Sequence, residues 1–161
     1  MRKSTLLLFL FPLIACSSFI NENDGYEVAL DKWEESKFSH YEFRYGLACF
    51  CAQTNPSLIV VYADTVYQVL DPETRDSLMV QTGENMFEYA GDVYRSSYRT
   101  IDELFEIIKD ARARDAYKLY VEYDESKGFP ISIDIDYIKN AVDDEVFYSV
   151  SEYQEYRATI F

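Results

Sequence analysis

The stretch TIDELFEIIKDARARDAYKLYVEYDESKGFPISIDID, residues 100–136, changes its hydrophobic period within a single run. Ile101, Leu104, Phe105 and Ile108 recur at helical spacing up to Ala111, and Thr100 with Glu103 forms a capping box at the start. Tyr117, Leu119, Val121 and Tyr123 then alternate with Lys118, Tyr120 and Glu122. Phe129, Ile131, Ile133 and Ile135 alternate with Ser132, Asp134 and Asp136 across an ESKG turn. A helix feeding a hairpin with one wet face belongs to a sheet that is covered on one side only.

Outward from this stretch the same reading repeats. Asp24 followed by Glu27 has the form of a capping box, and Tyr26, Leu30, Trp33 and Phe38 fall roughly on one helical face, which predicts a helix from Gly25 to Lys37. Tyr41, Phe43, Tyr45, Leu47, Cys49 and Cys51 alternate with Glu42, Arg44 and Gly46, a strand that carries the cysteines toward the apolar side. Leu58–Ala63 and Val66–Leu70 read as a hairpin around Asp64-Thr65, and Glu145–Tyr153 as a last strand. Residues 72–99 lack a period. Short irregular elements pinned by Met86, Phe87, Tyr89 and Tyr94 are expected there. Connections too short for parallel crossovers make the expected fold α+β. Its antiparallel sheet has about six strands with two helices on one face, in the order helix, three strands, helix, three strands. The halves have the look of distant structural repeats.

Composition narrows the function classes. The chain has 161 residues, a formal net charge of −14, five Gly and four Pro. One core of ordinary size is expected, without low-complexity regions. Such a surface is a poor partner for nucleic acid. Arg2 and Lys3 precede the apolar run Thr5–Ile14, which is about half of what a helix needs to cross a bilayer and is interrupted by Pro12. Residues 1–15 therefore read as a signal peptide. Leu13-Ile14-Ala15-Cys16 resembles the bacterial lipobox, which implies cleavage before Cys16 and acylation of it by chains such as palmitate. Loss of Arg2 and Lys3 leaves the mature chain still more acidic, so lipid rather than protein surface holds it at the membrane. Residues 16–24 form a lipidated tether and residues 25–161 a single domain. Ser17 after the cysteine favours the outer membrane, by analogy with other lipoproteins.

With Cys16 acylated in an oxidising compartment, Cys49 and Cys51 remain to pair with each other. Residues i and i+2 of a straight strand lie ~6.6 Å apart, so the chain must bend around Phe50 for a tight disulfide to form. A structural staple is the reading preferred over a thiol-disulfide redox centre, which needs an exposed thiol of low pKa.

Other constellations have plain accounts. His40 stands alone at a helix-to-strand junction, so no zinc site is expected. G-x-S-x-G, a phosphate-cradling glycine loop and H-E-x-x-H do not occur, and neither an enzyme nor a cofactor is expected. Asp134 with Asp136, or Asp143-Asp144-Glu145, has the oxygen donors of a calcium-dependent binding module, but strand alternation and loop solvation explain them, and no metal is expected. Tyr123-Asp124 with Gly128-Phe129-Pro130 is a weak candidate recognition edge, against the plainer account of turn chemistry.

Together the tryptophan of the first helix, Tyr41-Glu42-Phe43-Arg44-Tyr45 leading into Cys49-Phe50-Cys51, Thr100-Ile101-Asp102-Glu103-Leu104-Phe105, and Tyr123-Asp124 before Gly128-Phe129-Pro130 resemble the bacterial family called domain of unknown function 6174. The resemblance covers roughly residues 30–153. Asp64-Thr65 stands where an Asp-Gly turn would be expected, and the middle segment is long. This resemblance implies a fold and an envelope address. The function expected is a membrane-anchored, non-enzymatic lipoprotein that binds an envelope protein or ligand through its sheet or through residues 72–99.

Overall fold

The computed structural model describes residues 25–50 and 54–156. The signal peptide, Cys16, the tether and Cys51 lie outside the described residues. Helix α1 (Tyr26–Ser36) leads into strands β1 (His40–Cys49), β2 (Thr54–Tyr62) and β3 (Thr65–Leu70). A hairpin of β4 (Met79–Gly83) and β5 (Met86–Tyr89) follows, then the short helix α2 (Ala90–Val93) and a 3-10 turn at Arg95–Ser97. Helix α3 (Ile101–Ala113) and strands β6 (Lys118–Tyr123), β7 (Pro130–Asp136) and β8 (Glu145–Glu155) complete the described chain. Every pairing is antiparallel, in one six-stranded sheet of order β3-β2-β1-β8-β7-β6 and one two-stranded sheet, β4-β5.

The α+β expectation with an antiparallel sheet holds, and several finer expectations need correction. Residues 72–99 are not merely irregular, because Asn85 takes a positive φ of 61° and turns β4 into β5. Met86 and Phe87 point to solvent, and the pinning is done by Leu78, Val80, Tyr89, Ala90, Tyr94 and Tyr98. The layer over the core is therefore more than two helices. The first hairpin turns at Ala63-Asp64, both left-handed with φ of 51° and 58°, one residue earlier than expected; a two-residue turn of this hand matches strand twist. Helix α1 has Gly25 at its N-cap, with φ 76° and no side-chain cap, and it ends before Phe38. Nor are the halves repeats of one another. The strand after α1 lies at the sheet centre, whereas the strand after α3 lies at its edge.

The core follows from the alternation. Tyr41, Phe43 and Tyr45 of β1 are fully buried, with Ile59 and Val61 of β2, Ile133 and Ile135 of β7, and Val150 of β8. Trp33 is also completely buried, edge-on to Tyr41 at 5.6 Å, Phe129 at 6.3 Å and Tyr153 at 5.8 Å. Its indole N–H donates to Asp102 Oδ1 at 3.0 Å, which also accepts from Lys37 Nζ at 3.2 Å. Asp102 lies in the first turn of α3, where a negative charge meets the positive end of the helix dipole. The capping box expected at Thr100 and Glu103 is present, and the next amide, Ile101 N–H, donates to Tyr41 Oη at 3.1 Å.

Two buried phenols separate packing from hydrogen bonding. Tyr41→Phe leaves the buried Ile101 N–H without its acceptor and is expected to cost about 1–3 kcal/mol. Tyr153 Oη is buried with no partner among the described residues, so Tyr153→Phe is expected to be neutral or to stabilise by up to about 1 kcal/mol. Urea denaturation of both variants, with midpoint and slope compared, checks the contrast.

Candidate functional site

The turn between β6 and β7 is built around one carboxylate. Asp124 Oδ1 accepts from Ser126 N–H at 3.0 Å, Ser126 O–H at 2.7 Å and Lys127 N–H at 2.7 Å. The Asp124 carbonyl takes the Gly128 N–H at 2.9 Å, and Asp124 N–H donates to the Phe129 carbonyl at 2.8 Å. Burial raises the Asp124 pKa, but the bonds from Ser126 and Lys127 outweigh it and hold the group below its ordinary value. Gly128 has φ 82°, and a Cβ there would lie 2.1 Å from the Ala29 carbonyl oxygen of α1. Lys32 Nζ, on α1, donates to the Glu125 carbonyl at 3.0 Å across the same junction. Tyr123, Asp124, Gly128, Phe129 and Pro130 are thus brought together, with Gly128 and Phe129 holding the turn against α1 and Tyr123 stacked on Phe105 of α3.

A notch opens beside them. Strands β7 and β8 are in register from Ser132↔Ser149 to Asp136↔Glu145, and then part company as β8 runs on toward Glu155. Glu152, with φ 54°, is a bulge on β8 against β1, where the register slips between Glu42 and Arg44. The space left is about 470 Å³. Phe129, Ile131, Val150 and Tyr153 supply its apolar lining, and Asp124, Ser126, Lys127, Ser151 and Glu152 its polar lining. Phe129 and Tyr153 are stacked at 4.9 Å. The rim charges are matched in place: Lys127 pairs with Glu155 and lies 5.8 Å over the Tyr153 ring, and Glu152 accepts from Arg44 at 3.1 Å. Sequence reasoning found one wall of this notch and missed the β8 wall, because a bulge at a glutamate leaves no local signature.

A second polar cluster fastens the loop after β3 to the sheet. The Glu42 carboxylate is nearly inaccessible and is held by Arg75 through two bonds, at 3.0 and 2.7 Å. Burial works to raise the Glu42 pKa, and the bonds from Arg75 and Tyr156 overcome it to lower the value. Arg75 itself has φ 62°, as the tight return of the loop requires.

The remaining candidates are placed as follows. Cys49 is half-buried at the end of β1, opposite Val146, and is not a free thiol. The neighbouring Phe50 is 80% exposed. His40 bonds Ser39 Oγ at 2.9 Å and stands edge-on to Tyr62 at 4.2 Å. Asp134 is taken by Lys118 Nζ at 2.6 Å, and Asp144 Oδ2 accepts from Ile138 N–H at 2.6 Å. Among the described residues no three His, Cys, Asp or Glu side chains converge to hold a metal ion. No helix among them is long and apolar enough to cross a membrane.

A profile of the Family of unknown function (DUF6174) matches residues 25–155. The chain belongs to this family. That span runs from the N-cap of α1 to the last residue of β8, so both walls of the notch and the Trp33–Asp102 contact lie within the family domain. No curated protein and no solved structure matches the chain.

Two outcomes are expected here. Gly128→Ala places a Cβ against the Ala29 carbonyl at a positive φ, and should destabilise by about 2–4 kcal/mol in thermal or urea unfolding. Glu42 has a folded pKa lowered from 4.5, so its contribution is complete above that value and is lost as pH falls through the lower folded value. Wild type should therefore exceed Glu42→Gln in stability at pH 7, and the gap should narrow as the pH falls below 4.5.

Proposed function

We propose that this DUF6174 protein is a lipid-anchored, non-enzymatic binding protein of the bacterial cell envelope. The observation that carries the binding role is the notch between β7 and β8, whose apolar floor is framed by charges that already have partners. A site of this kind recognises a ligand by excluding water from aromatic and aliphatic surface, while its neutralised rim fixes orientation. An envelope protein presenting an apolar side chain fits such a notch. The membrane address rests on the run Thr5–Ile14 and on Leu13-Ile14-Ala15-Cys16, with the outer membrane favoured by Ser17. Acylation of Cys16 would leave Cys49 to pair with Cys51 as a staple that shapes the end of β1.

Intact-mass measurement of the membrane fraction is expected to find a chain beginning at Cys16 with acyl mass added. Cys16→Ala should move the protein to the soluble fraction with unchanged unfolding behaviour. A photoreactive residue at Ser151 should give a discrete crosslinked species in intact envelopes, and one at Lys109, away from the notch, should not. An unacylated chain would remove the address, and equal crosslinking from both positions would remove the notch.

A further inference from the structure

The two outer strands of the large sheet are treated differently by the rest of the chain. On β3, Leu78 N–H donates to the Val69 carbonyl at 3.0 Å, Val69 N–H donates to Tyr89 Oη at 2.6 Å, and Leu70 bridges to Ser77. That edge is closed over by the segment after it. On β6 the pairing with β7 runs from Lys118↔Asp136 to Tyr123↔Pro130. Tyr117 N–H donates to the Tyr137 carbonyl at 3.3 Å, so Tyr117, Leu119 and Val121 turn their backbone groups toward β7, up to the register shift after Glu122. By the same alternation, Lys118, Tyr120 and Glu122 turn their N–H and C=O groups outward. No backbone or side-chain group among the described residues bonds to these outward groups, and Tyr120 is 55% exposed.

We propose that the β6 edge docks an extended, basic segment of a partner polypeptide, which adds a seventh strand to the sheet. The backbone supplies a row of donors and acceptors, and the flanking charge selects the occupant. Glu122 stands on this edge, and Asp136 and Glu145 lie on the same face in the next two strands. The one cation there, Lys118, is already neutralised by Asp134, so it does not guard the edge as a free lysine would. A second copy of the chain is a poor occupant, because each carries a net charge of −14. A partner residue directly opposite Tyr120 exchanges hydrogen bonds with it and also shares its face. Lysine or arginine therefore belongs at those positions, and apolar residues alternate with them beside Val121 and Tyr123. This surface lies across β7 from the notch and does not depend on it.

The probe is acetyl-Lys-Val-Lys-Thr-Lys-Val-Lys-amide, added to the full acylated chain in a zwitterionic detergent and followed by amide NMR shifts and hydrogen exchange. Binding should shift and protect the amides of Lys118, Tyr120 and Glu122, and should weaken as salt is added. N-methylation of the peptide's lysine amides should weaken binding by about tenfold or more, whereas N-methylation of its Val and Thr amides should change it little. The glutamate counterpart of the peptide should not bind. Tyr120→Pro removes an outward N–H that β7 does not use, and should lose the peptide while keeping the fold. If that variant does not fold, the two methylated peptides still decide on wild type. Equal binding by both, shifts confined to another surface, or protection of these amides in a concentration-dependent dimer without peptide would each overturn the proposal.

Discussion

Tyr41 joins three parts of the molecule through one side chain. It stands on β1, and its ring meets Trp33 of α1 edge-on at 5.6 Å and Tyr153 of β8 at 5.5 Å. Its hydroxyl accepts the Ile101 N–H at the start of α3. Burial pushes the Tyr41 phenol well above its ordinary pKa. An unpaired amide at a buried helix start is costly, so the position of α3 is coupled to the ring that packs α1. Helices α1 and α3 are both placed by contacts with this one side chain of the central strand.

The consequence reaches the candidate site. Trp33 meets Phe129 and Tyr153, and those two residues form part of the notch lining. Gly128 lets the β6–β7 turn lie against the Ala29 carbonyl of α1, so the turn follows wherever α1 is held. Trp33, Gly128 and Phe129 thus set the distance between a helix and a turn. Binding geometry is inherited from packing. Strand β1, the first of the described chain, pairs with the last, β8, and the sheet centre therefore forms only when both ends of the domain are present. That raises the contact order and favours cooperative folding over folding by halves.

Legibility differed sharply between levels. Helix α3 was readable to its cap, because Thr100 and Glu103 satisfy orphan amides by a purely local pattern. Helix α1 was readable in its buried face and not in its start, where Gly25 in a left-handed conformation takes the N-cap. The β4–β5 hairpin was missed. Its strands are five and four residues long and largely exposed, so neither alternation nor length announces them. At the site, Asp124, Gly128 and Phe129 were legible as turn residues, while Ile131, Val150, Ser151 and Glu152 were not associated with them.

By itself, the sequence determined the two long helices and the strands of the large sheet, and which face of each is apolar, since those properties arise from neighbours within a few positions. It also determined that the surface is acidic and that the turn at Asp124 needs a glycine at residue 128. Only the tertiary structure decided that β1 meets β8, that β7 and β8 part beyond Ser132 and Ser149, and that among the described residues one sheet edge is closed while the other is open. These outcomes depend on pairings between residues far apart in the chain. Strand alternation specifies a face to bury but not the strand beside it, and the choice of neighbour is made by the whole core at once.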